Sequence, residues 1–103
     1  MNPAPSGAAI VVWCVAPIQR LHWREWGGDS VVYDELSGHT HQFSPLAAAV
    51  MAWLEEQPCS LAQLTDAIAG DLQRPPDADL RQAVADAVEQ FRELDWIEPL
   101  KPA

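Results

Sequence analysis

Three histidines are the side chains in this 103-residue chain best suited to bind or move something. His39 and His41 are two apart, so in a strand both would point to one face, and with His22 they could hold a metal ion. No carboxylate or thiol is spaced to complete a ligand shell. Solvated strand histidines are therefore the simpler reading, and a His-based metal-binding protein is a lesser alternative. Cys14 and Cys59 are the only thiols and form no Cys-x-x-Cys pair, which points to two reduced, mostly buried cysteines while leaving a bridge between them open. The acidic residues of Glu55-Glu56, Asp77-x-Asp79 and Glu93-x-Asp95 fall where helix ends and solvated faces are expected, not as an acid/base couple. With no Gly-x-Ser-x-Gly, no phosphate loop and no glycine fingerprint after a strand, the chain reads as a binder rather than an enzyme, and no cofactor is implied.

Composition narrows what could be bound. Apolar residues make up 49% of the chain, five of them tryptophan, so it has the material for one modest core and room for a single domain over residues 1–103. Residues 1 to 7 are rich in Pro, Gly and Ser and are expected to be frayed. Fifteen acidic against six basic residues give a formal charge of −9, which repels phosphate backbones and favours neutral or basic partners. The one sustained apolar run, Ala8 to Val15, falls far short of the roughly 20 residues that span a bilayer, and no basic residue precedes it as a secretory signal requires. The expectation is a cytoplasmic protein without membrane or nucleic-acid partners.

Turn residues divide the first half into strand candidates. Leu21 to Trp26 mixes aromatic and charged residues as a half-exposed strand does, Gly27-Gly28-Asp29 breaks it, Ser30 to Asp34 is β-branched and aromatic, and Ser37-Gly38 turns the chain into Thr40 to Phe43. This is the pattern of a three-stranded antiparallel meander. The β-branched run at 9–15 is a further strand whose place, in that sheet or elsewhere, periodicity does not decide. From Ser44 the period changes to that of helices. Ser44 caps and Pro45 suits the first helical position, with Leu46, Val50, Trp53 and Leu54 on one face up to Gln57-Pro58. Ser60-Leu61-Ala62-Gln63 is a capping box opening a second helix that fades near Gly70. Beyond the linker Arg74-Pro75-Pro76, Asp77 caps a third helix with an apolar stripe of Leu80, Val84, Ala87, Val88, Phe91 and Leu94 running to Trp96.

A small sheet whose last strand leads into a helix layer leaves an edge that can take an extended peptide as an added strand. On the wheel of the third helix, Leu80, Ala87 and Phe91 centre the stripe. Val84 and Val88 sit at one margin beside Arg81 and Arg92, an apolar strip with a basic rim suited to aliphatic anchors and an acidic residue. The opposite margin, Ala83, Gln90 and Leu94, offers another wall. Margins of this kind are more often simply core, with arginines snorkelling to water.

The run of Arg20-Leu21, Phe43-Ser44-Pro45-Leu46-Ala47 with Val50 and Met51, Ser60 to Leu64, and Leu94-Asp95-Trp96-Ile97 resembles the PqqD family. Leu21 to Trp26, Val31-Val32-Tyr33 and Ser37 to His41 resemble its branch associated with HPr-kinase-related proteins, the HPr-rel-A system. The resemblance covers roughly residues 9 to 100. It implies an α+β winged helix-turn-helix fold, a three-stranded antiparallel sheet followed by three helices, known as a RiPP recognition element. It also implies a peptide chaperone that pairs a precursor's leader peptide with the third strand, against the third helix, and presents it to a modifying enzyme, here one related to HPr kinase. Carried onto this chain, the peptide-binding residues are Thr40, His41, Gln42 and Phe43 with Arg81, Val84, Val88 and Arg92. The same edge could pair with a second copy as a homodimer. The runner-up is DNA binding through a helix-turn-helix at residues 60 to 95, which the acidic third helix disfavours.

Overall fold

The computed structural model describes residues 10–17 and 20–100, so the fraying expected at residues 1 to 7 lies outside the described residues. Within them the fold is mixed α+β, with three helices and two antiparallel three-stranded sheets. Strand β1 covers Val12–Val15, and the meander follows as β2 Leu21–Trp26, β3 Asp29–Asp34 and β4 His39–Phe43. Helix α1 (Pro45–Glu56) is joined through the short β5 (Cys59–Ser60) to α2 (Leu61–Leu72). Helix α3 (Ala78–Glu93) and β6 (Ile97–Pro99) complete the chain.

The meander forms as its turn residues dictate. Gly27 and Gly28 have φ of 60° and 92°, which a tight two-residue hairpin requires and other residues resist. Opposed residues in the order β2-β3-β4 then share a face: Trp23 with Val32 and His41 on one side, His22 with Tyr33 and Thr40 on the other. Only the first side is covered. Val32 and Phe43 are buried there among Val50, Met51, Leu54, Phe91 and Trp96.

Each helix begins at the capping residue the sequence offers. Ser44 Oγ accepts from Ala47 N at 3.2 Å, Ser60 and Gln63 form the reciprocal box, and Asp77 accepts from Leu80 N at 2.9 Å. Helix α3 ends differently. Asp95 takes a left-handed φ of 62°, its N–H bonding Arg92 O and the next N–H, of Trp96, bonding Phe91 O, both at 3.0 Å. This paired closure turns the Trp96 ring back onto Phe91, 5.8 Å away and stacked.

One expectation needs correction: the sheet content is two sheets, not one. Strand β1 joins no part of the meander but lies between β5 and β6, with Trp13 opposite both Cys59 and Pro99. Its partners are two and three residues long, too short to show any period, and one carries a proline; the return of Ile97 and Leu100 along a sheet, which the sequence suggests, is made beside β1 and not beside the meander. That register also settles the thiols. Cys59 is opposite Trp13, so Cys14, one residue on, points to the other face of the sheet, and both thiols are free. Burial pushes the Cys59 thiol pKa up.

Phe91 is fully buried and touches both Phe43 and Trp96, so Phe91→Ala should cost about 3–5 kcal/mol. Urea unfolding of wild-type and variant checks this; a loss under about 1 kcal/mol would mean that helix and meander are not packed through this ring.

Candidate functional site

Strand β4 is an edge: among the described residues it pairs with β3 alone. The direction of its free groups follows from register. The two-residue loop makes Trp26 and Asp29 a hydrogen-bonded pair, and alternation along β3 then sends the N–H and C=O of Ser30, Val32 and Asp34 toward β4. Asp34 O accepting from Gly38 N at 2.8 Å, and Glu35 N donating to Arg20 O at 2.9 Å, obey the same alternation. His39, His41 and Phe43 thus spend their backbone groups on β3, while Thr40 and Gln42 turn theirs outward.

Beside this edge runs a row of rings. His41 stacks 6.1 Å from Phe43, its edge meets Trp96 at 5.4 Å, and Phe43 lies 5.1 Å from Phe91. Trp96 is held from the meander as well. Its Nε1 donates to Asp34 Oδ2 at 2.9 Å, while Asp34 Oδ1 accepts from Leu36 N at 2.9 Å. Burial alone would raise the Asp34 pKa, but the bonds from Trp96, Leu36 and Ser37 together outweigh it and hold the carboxyl below its ordinary value. A cleft of about 480 Å³ opens at this junction, with Ala16, Pro17, Leu36 and Leu94 as its apolar wall and Asp95 and Glu98 as its acidic one, over the buried Trp96 and Asp34.

The residues anticipated on α3 are not all beside β4. Val84 and Val88 are 0% and 4% exposed and belong to the core, so they present no wall to a ligand. The stripe is wider than three residues because α3 packs on α1 and α2 together. Arg81 lies across the molecule in a groove with Ile10, Trp13 and Leu61, and its Nη1 donates to Pro76 O at 2.9 Å. Arg92 is paired with Glu89 one turn earlier. The margin with Leu94 supplies the wall instead. Its signal was available, since Leu94 completes the apolar stripe, whereas the role of Asp34 was hidden in a strand whose alternation hardly distinguished it from exposed Tyr33.

The histidines do not converge. His39 and His41 share the inner face, with rings 6.3 Å apart, while His22 is on the outer face and contacts Glu35. Among the described residues no three of His, Cys, Asp and Glu are grouped to hold a metal ion, and no helix is long and apolar enough to cross a membrane. Comparison with family models, curated proteins and solved structures finds no match to this chain.

Asparagine at position 34 keeps one acceptor oxygen where the carboxylate takes bonds from Trp96, Leu36 and Ser37, so Asp34→Asn should cost about 1.5–3 kcal/mol at neutral pH. Because the folded pKa lies below the ordinary 3.8, the carboxylate's contribution is complete above that value and disappears as pH falls through the lower folded one. Urea midpoints should show a constant gap between wild-type and variant from neutrality down to about pH 5, closing below about pH 4. A gap independent of pH would remove the charge from the account.

Proposed function

We propose that this chain is a non-catalytic peptide-binding chaperone of the PqqD type. It captures a leader-type peptide as an added strand beside β4 and holds it for a modifying enzyme, which the HPr-rel-A resemblance makes a relative of HPr kinase. The helix-strand order fits a winged helix-turn-helix in which α2 and α3 form the helical pair and the meander the wing. The observation that carries the reading is the outward-facing backbone of Thr40 and Gln42 on an edge strand whose His41 ring meets Trp96. Main-chain bonds of this kind contribute about 0.5–1.5 kcal/mol each and carry little sequence information, so selectivity falls to the side chains that alternate along the peptide.

On the inner face those side chains meet His41, whose ring leads through buried Trp96 to the cleft of Leu94, Asp95 and Glu98. The acidic wall favours aliphatic anchors with a neutral or basic neighbour. This reverses the preference expected from Arg81, which lies across the molecule, and from Arg92, which is spent on Glu89. Nucleic acid is a poorer ligand, since α3 exposes Asp79, Asp86, Glu89 and Glu93 along the surface a recognition helix would use.

Isotope-labelled protein titrated with candidate precursor peptides should show saturable shifts centred on the Thr40 and Gln42 amides and on the Trp96 indole. Proline is tolerated at an edge position whose N–H faces outward, so Gln42→Pro should leave the unfolding midpoint nearly unchanged while weakening the peptide about tenfold, the equivalent of one lost bond. Shifts that avoid β4, or an affinity indifferent to the proline, would refute strand addition.

A further inference from the structure

The residues leading into β1, the first turn of α2 and Arg81 of α3 border a groove of about 550 Å³. Its walls are Ile10, Val11, Trp13, Leu61 and Ala62, and Ile10 is 78% exposed. A volume of this size, mostly apolar walls and a few polar groups that orient the occupant are the features of small-molecule sites. Ile10, Val11 and Leu61 all remain in water, so a ligand seated there removes apolar surface that the fold itself leaves exposed.

The groove holds a single charge. Its two hydroxyls are engaged locally, Ser60 Oγ accepting from Gln63 N at 3.2 Å and Thr65 Oγ1 donating to Leu61 O at 2.8 Å. That leaves Arg81. Its Nη1 donates to Pro76 O at 2.9 Å, and a bond to a neutral carbonyl steadies the guanidinium without cancelling its charge or using most of its donors. On α3 the residues one turn from Arg81 are Asp77, Ala78, Val84 and Ala85, so one carboxylate faces it, and Arg74 pairs that carboxylate at 2.9 Å. Two guanidiniums thus meet one acid. The first turn of α2 has no acidic residue, and Asp66, beyond Thr65, does not border the groove. An anionic head group placed at Arg81 gains a charge-assisted bond that an uncharged or cationic one does not.

The backbone decides between an alkyl chain and a peptide. Strand β1 is the middle strand of its sheet, with Val12 opposite Ser60 on one side and its carbonyl accepting from Leu100 N at 2.7 Å on the other. It has no free ladder to offer. A peptide lying against these walls would turn its amides toward Ile10, Val11 and Leu61, which cannot bond them through their side chains. A hydrocarbon chain brings no such groups.

We propose that this groove binds a single-chain fatty acid, its tail against Ile10, Val11, Trp13 and Leu61 and its carboxylate bonded to Arg81. The site is separate from the β4 edge and does not rest on peptide capture there.

Methyl-labelled full-length chain titrated with decanoate, decanol and decyltrimethylammonium, each below its micellar concentration, tests the site. Saturable shifts are expected at the methyls of Ile10, Val11, Leu61 and Ala62, with decanoate bound at least tenfold more tightly than the other two. Arg81→Gln should lower decanoate to the affinity of decanol and leave decanol unchanged. Ile10→Asp, at a position already in water, should abolish binding of both while keeping the wild-type unfolding midpoint. No saturation, equal affinity for decanoate and decanol, or a preference for the ammonium would overturn the proposal. So would saturation of the same methyls by acetyl-Ala-Ala-Leu at lower concentration, which would make the occupant a peptide's carboxyl terminus, or shifts that grow with protein concentration alone, which would make the groove a contact between copies. Shifts confined to Thr40–Phe43 would overturn it and leave the edge reading standing.

Discussion

Trp96 is the point on which the arrangement depends. Its ring, 1% exposed, packs against Phe43 of the meander and Phe91 of α3, while its one polar atom is spent on Asp34 at the far end of β3. Few side chains could do both. The indole supplies a large apolar body, and its donor is satisfied by a carboxylate that Leu36 and Ser37 of the following turn also hold. Because the left-handed Asp95 closes α3 just before it, the tryptophan's direction is set by the helix end, and the meander is located relative to that end.

The meander is pinned through its inner face and one end, with β4 at the margin of the sheet and the cleft at the Asp34 end of β3. Strand β1, which might have covered that edge, is instead held between β5 and β6, with further bonds from Ala16 N to Trp96 O and from Leu100 N to Val12 O. Pinning one face leaves the other bare, where Arg24 and Trp26 face solvent.

Much of this was legible in the residues. Capping side chains at Ser44, Ser60 and Asp77 marked all three helix starts, and the glycines at 27, 28 and 38 marked the turns of the meander, because both signals are local. The second sheet was not legible, since it joins segments 45 and more residues apart through strands shorter than any period. The helix wheel put Val84 and Val88 at a margin that tertiary packing turned into core, and it could not tell which flank of α3 meets the meander. Asp34 looked like the polar end of a strand; only the arrival of Trp96, 62 residues later, makes it a buried anchor.

Amide hydrogen exchange along β4 in the free protein tests the open edge most directly. If the outward groups are unspent, Thr40 and Gln42 should exchange orders of magnitude faster than His41 and Phe43, whose N–H groups are bonded to β3. Equal protection at all four positions would mean that the edge is already occupied, by a second copy or by residues outside those described, and that no place remains there for a peptide.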